Sequence, residues 1–193
     1  PPAADERLLE IAGETRAVVA YLGQVPNQPL RFAGENRGRV EDALIAYAWD
    51  RYLRSGKADW APRLPMTKAA VRAMDTVQQF CARLTDTPLT VKRFVVAGGS
   101  KRGWTTWTVA AVDGRVAGII PMVIDVLDVE RSMIHHWRAY GFWSPAIRDY
   151  QNMSIMNWMG SREFARLMSF VDPYSYRDRY TMPKFIVNAT GDQ

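Results

Sequence analysis

Residues 92–107, KRFVVAGGSKRGWTTW, decide the fold. Lys92 to Ala97 is a short, largely apolar run that predicts a buried strand. Gly98-Gly99-Ser100-Lys101-Arg102-Gly103 then turns directly into Trp104 to Ala111, which reads as helix. A serine on such a turn stands exposed at the carboxyl end of a sheet, where a nucleophile is needed. The backbone N–H that follows it and the helix N-terminus face the reacting oxygen. The familiar spacing is G-x-S-x-G. Here Gly98 fits the first half, Arg102 stands in the second glycine's place, and Gly103 comes one residue late. A plainer role competes, in which Ser100 only caps the helix. Lys101 either brings positive charge to an oxyanion or is a solvated helix-start residue. Arg102 suits pairing with a carboxylate behind the turn better than catalysis.

Working outward, Asp113-Gly114 is a turn and Val116 to Ile124 (VAGIIPMVI) is another strand. Strand, helix, strand at this spacing indicates right-handed crossovers in a parallel sheet. Lys184 to Ala189 (KFIVNA) reads as a further strand ending in Thr190-Gly191-Asp192, and residues 125–180 form a long excursion of two or three helices. Upstream, residues 5–14 predict a short helix capped by Asp5, and Arg16 to Leu22 (RAVVAYL) a buried strand. The prolines of Val25-Pro26-Asn27-Gln28-Pro29 predict a rigid loop. Helical periodicity follows over Val40 to Leu53 and Thr67 to Leu84.

A serine nucleophile needs an acid and a base. Asp192 is the leading acid, because it follows a strand through a Thr-Gly turn; Asp125 and Asp128 stand in reserve, and each also suits a turn or cap role. His135 and His136 are the chain's two histidines, adjacent in an expected helix. They precede Asp192, whereas a serine nucleophile on a strand-to-helix turn is usually followed first by its acid and then by its His, so the base is expected beyond residue 193. Trp104 and Trp107 are expected in the core, and Trp137, Trp143 and Trp158 in a lid over the serine.

Composition narrows the function classes. With 48% hydrophobic and 23% charged residues the chain can bury a core, which sets disorder aside. The net charge of +5 comes from basic residues scattered among acidic ones, as in Tyr176-Arg177-Asp178-Arg179, which argues against a nucleic-acid partner. The one cysteine, Cys81, excludes an intrachain disulfide and suits a packing position. No metal-ligand spacing, cofactor motif, membrane-length apolar run or targeting pattern occurs in the sequence.

VPNQPLRFAGE (25–35), RVEDALIAYAWDRYL (39–53), GGSKRGWTTW (98–107), IPMVIDVLD (120–128) and DPYSYRDRYTMPKFIVNATGDQ (172–193) together resemble the PhoPQ-activated pathogenicity-related protein family. The similarity covers nearly the whole chain, several unusual strings recurring in order. It implies an α/β-hydrolase-like fold, with Gly98 to Trp104 as the elbow and Asp192 as the acid. It also implies a longer parent, with earlier strands carrying an oxyanion loop and a later segment supplying the histidine.

The expectation is therefore an α/β chain, part of an α/β-hydrolase fold: a mostly parallel sheet flanked by helices, with core 1–124 and 181–193 and a helical, lid-like insertion at about 125–180. The resemblance also implies a central strand between Arg16–Leu22 and Lys92–Ala97 that this stretch does not supply, which predicts marginal stability unless a partner fills the gap. Function is expected to be ester or amide hydrolysis through Ser100, with a small-molecule ester or peptide as substrate. The isolated chain, lacking the histidine, is expected to be inactive. The alternative is a non-catalytic binding or signalling protein on a hydrolase scaffold. If like the family, the protein is periplasmic, secreted or on the cell surface.

Overall fold

In the computed structural model, which describes residues 5–189, Asp5 accepts a 2.9 Å hydrogen bond from the Arg7 amide and starts α1 (Glu6–Thr15). The next run departs from expectation. Arg16 to Leu22 is irregular and pairs with no strand among the described residues, and Val18, Tyr21 and Leu22 are exposed. Strand preference expresses packing against a neighbour, and no strand lies beside this run among the described residues.

α2 (Glu41–Ser55) buries every residue from Leu44 to Leu53 except Arg51. A helix apolar nearly all round belongs at the centre of a fold. It packs Trp49 edge-on against Trp104 and Tyr150, with ring centroids 5.7 and 5.2 Å away. α3 (Arg63–Ala82) begins earlier than its periodicity suggests, because Pro62 and Pro65 fall at its cap and first turn, where no amide donor is missed.

β1 (Phe94–Gly99), α4 (Lys101–Val112) and β2 (Val116–Met122) form the expected unit, the two strands parallel with Val96 opposite Ile119 and Gly98 opposite Pro121. The expected last strand survives as a bridged segment on the far edge of β2. Ile119 pairs with Lys184 and Met122 with Val187, and the Phe185 and Val187 amides donate to Ile119 and Pro121 carbonyls at 2.9 and 3.1 Å. β1 has no partner on its other side among the described residues. The fold is thus mixed α/β, mostly helical, around a small parallel sheet.

The excursion is helical as expected: α5 (Val129–Tyr140), α6 (Arg148–Asn152), α7 (Arg162–Val171) and a 3-10 segment, Pro173–Arg179. No described helix is long and apolar enough to cross a membrane. Asp172, which has no counterpart among the sequence expectations, joins two of these elements. Its buried carboxylate accepts from the Val129 amide at 2.8 Å, the Asp128 amide at 3.3 Å and the Tyr174 amide at 2.8 Å, capping α5 and the 3-10 segment together.

Asp172→Ala is expected to lower stability by about 2 kcal/mol, since buried amides lose their acceptor. Burial raises this carboxyl's pKa despite the amides that oppose it. A carboxyl raised in the fold favours folding when protonated. Its contribution is therefore present below the unfolded pKa of about 4 and declines as pH rises from there. Urea titrations across that range should show the gap between wild type and Asp172→Ala narrowing with rising pH.

Candidate functional site

The β1-to-α4 turn is sharp, and its strain sits on one residue. Ser100 adopts φ 51°, ψ −128°, a backbone conformation unusual for any residue but glycine. Its amide donates to the Met122 carbonyl at 2.9 Å, extending the β1–β2 ladder, and its carbonyl accepts from the Trp104 amide at 3.1 Å. The side chain is exposed and makes no capping bond to α4. The plainer capping role is not the one Ser100 plays.

Two glycines let this turn close. A Cβ at Gly98 would lie 2.6 Å from the Arg102 carbonyl oxygen, and one at Gly103 would lie 2.6 Å from Ile124 Cγ2 and 2.9 Å from the Gly98 oxygen. At Gly99 the nearest atom, Val123 Cγ2, is 4.0 Å away. The late Gly103 is therefore where α4 crosses the strands, while the position of Arg102 faces outward and tolerates a long side chain.

Lys101 is not a solvated helix-start residue. It is 1% exposed and ion-paired with Glu41. Burial, and after it the Arg102 charge, lowers its amine to about 8. Arg102 reaches the same carboxylate at 3.1 Å, as its expected pairing role requires. Glu41, the first residue of α2, also takes Gln28 Nε2 at 2.5 Å and returns its own amide to Gln28 Oε1 at 2.9 Å. One carboxylate thus ties the 25–30 loop and the start of α2 to the first turn of α4. Both strings, VPNQPL and RVED, stand out in the sequence, but nothing in their local spacing reveals this link.

Beneath that turn lies Arg63, fully buried in α3. Its Nη1 donates to the Lys101 carbonyl at 2.6 Å, and its guanidinium stacks 4.1 Å from the Trp104 ring. Tyr150 donates to Asp42 at 3.3 Å nearby. Burial lowers the Arg63 pKa and raises those of Asp42 and Tyr150, as it penalises charge in each.

The remaining candidates are dispersed. Asp192 lies outside the described residues. Asp125 accepts from Ser132 at 3.2 Å, and Asp128 pairs with Arg131 at 3.3 Å at the start of α5. His135 is exposed. His136 accepts the Ser144 amide on Nε2 at 3.1 Å and stacks with Trp143, which makes it a packing residue. Trp104 and Trp107 are buried in the core, whereas Trp137 is exposed. A groove of about 530 Å³ between α3 and α4 is walled by Leu64, Thr67, Val71, Thr108 and Val112 among others, and Ser100 is not among its walls. Among the described residues no three His, Cys, Asp or Glu side chains gather as a metal site.

Comparison with known proteins places these features in context. The family described as PhoPQ-activated pathogenicity-related protein matches residues 1–193. Autocrine proliferation repressor protein A of Dictyostelium discoideum is similar at 39% identity over 194 residues, a match covering 100% of this chain and 39% of that protein. No solved structure matches.

Proposed function

The chain belongs to the PhoPQ-activated pathogenicity-related protein family, and from that premise we propose that its parent is a serine hydrolase of α/β-hydrolase type acting on esters or amides through Ser100. The observation that carries this reading is Ser100 itself: exposed, strained at φ 51°, without a capping bond, and set between close-packed glycines. Strain of this kind persists where the surroundings enforce it, and it clusters at functional turns.

In this reading Oγ attacks the substrate carbonyl while a base takes its proton, giving a tetrahedral oxyanion. The Lys101 amide and the N-terminus of α4 face that oxygen. The Lys101 ammonium does not, since it is committed to Glu41. The leaving group takes the proton from the base, and water then releases the acyl group. Asp192 orients the histidine, which other parts of the parent supply. Gly98, Gly99 and Gly103 shape the turn, with Arg102 and Glu41 holding it. Residues 1–124 and 181–193 form the core and about 125–180 the lid-like insertion.

The Dictyostelium relative's name favours a second reading, an extracytoplasmic signalling protein that keeps the scaffold without turnover. A fluorophosphonate probe on the parent protein separates the two. Labelling is expected on the wild type and lost in Ser100→Ala with the melting temperature retained; no labelling of the wild type, or labelling that survives the substitution, rules the serine chemistry out.

A further inference from the structure

Tyr140 and Phe142 are large aromatic rings that the core does not take up, 63% and 57% exposed. They stand at the end of a helix with two unlike sides. In α5, Met133, Trp137 and Tyr140 follow one another by four and three residues and share a face. Arg131, His135 and Arg138 keep the same spacing two residues earlier, which puts them about 200° round the helix axis. The apolar stripe starts on the body of the protein, where Val129 is buried and Met133 packs against the core, and then leaves it, with Trp137 46% exposed. Gly141 ends the helix at φ 73°, and the rings after it extend the stripe. Trp143 lies 4.9 Å from Trp137 and Phe142 6.1 Å from Tyr140 between ring centroids.

Exposed apolar patches with a polar rim mark interaction surfaces, and the charge here says of which kind. From Arg131 to Arg148 the sequence holds three arginines, two histidines and no aspartate or glutamate. Arg131 meets Asp128 at 3.3 Å, whereas Arg138 is exposed and forms no ion pair among the described residues. Aromatic rings with a polar tip suit the boundary between water and lipid, and guanidinium groups suit its phosphates. At 12 residues α5 is too short to cross a bilayer and is built to lie on one.

We infer that the exposed end of α5, with Trp137, Arg138, Tyr140 and Phe142, docks the protein on an anionic lipid bilayer. The aromatic stripe enters the headgroup boundary while the basic side meets lipid phosphates. Docking involves no covalent step, so it stands or falls apart from the serine chemistry.

The test uses the parent protein, sedimented with vesicles of phosphatidylcholine carrying about one third phosphatidylglycerol and with vesicles of phosphatidylcholine alone. The wild type is expected to bind the anionic vesicles roughly 10-fold more tightly than the neutral ones, a preference that added salt removes. The double variant Tyr140→Ser, Phe142→Ser is expected to bind on the order of 10-fold more weakly with an unchanged melting temperature. Arg138→Glu is expected to lose roughly 10-fold on the anionic vesicles alone. No binding of the wild type to anionic vesicles, or binding that either variant leaves intact, overturns the inference. A melting temperature lowered by the double variant does so too, because the rings are then covered within the folded protein. So does an equal affinity for dextran sulfate, because the partner is then a soluble polyanion.

Discussion

Gly98→Ala is expected to lower stability by about 3 kcal/mol, large for one added methyl. The new carbon would lie 2.6 Å from the Arg102 oxygen, 2.8 Å from the Arg102 carbonyl carbon and 2.9 Å from Thr106 Oγ1. Two of these atoms are backbone, so no side-chain rotation relieves the contact. α4 has to lift from β1, which disturbs the packing of its buried Trp104, Trp107 and Val109. Gly99→Ala is the control, since its nearest neighbour is 4.0 Å away. Denaturant unfolding of both variants decides the matter: equal losses at 98 and 99 would show that backbone freedom, not the close approach, is what these glycines provide.

Arg63→Ala is expected to cost about 3–4 kcal/mol, because it removes a charge-assisted hydrogen bond and a desolvated cation–π contact and leaves a cavity. The hydrogen bond is the 2.6 Å contact to the Lys101 carbonyl, and the ring is that of Trp104. Arg63→Met keeps most of the volume while dispensing with a buried charge, so it is expected to recover part of the loss, as apolar replacements of buried ionic groups do. The site gives a second readout. If the proposed serine chemistry holds and Arg63 keeps the first turn of α4 in place, Arg63→Met regains stability without regaining the wild-type rate of fluorophosphonate labelling. A methionine variant that labels at the wild-type rate would reduce Arg63 to packing alone.

What could be read from the residues follows the range of the forces involved. The β1–Ser100–α4–β2 unit was legible because period, glycine and turn chemistry act within a few neighbours, and each pointed to the same local structure. Arg16 to Leu22 was not, because its β-branched residues need a strand beside them and the described residues offer none. Glu41 escaped notice because its partners are Gln28, Lys101 and Arg102, distant along the chain. Asp172 did so because its carboxylate joins Val129 to Tyr174 across the whole excursion. Lys101 reads as a surface residue by type, yet tertiary packing buries it and pairs it with Glu41 of α2. The spacing of the late glycine resolves in the same way. What the turn requires is an absent Cβ where the helix crosses the strands, and Gly103 supplies it one position after the usual place.

The edge of β1, unpaired among the described residues, also governs how this polypeptide behaves in bulk. Unpaired strand groups beside exposed Val95 form a template on which another molecule can add. Exposed in this way, the edge is an aggregation hazard at working concentrations, and that liability increases with concentration as intermolecular pairing outruns refolding. A lysine placed at position 95 as a gatekeeper addresses the hazard at its source.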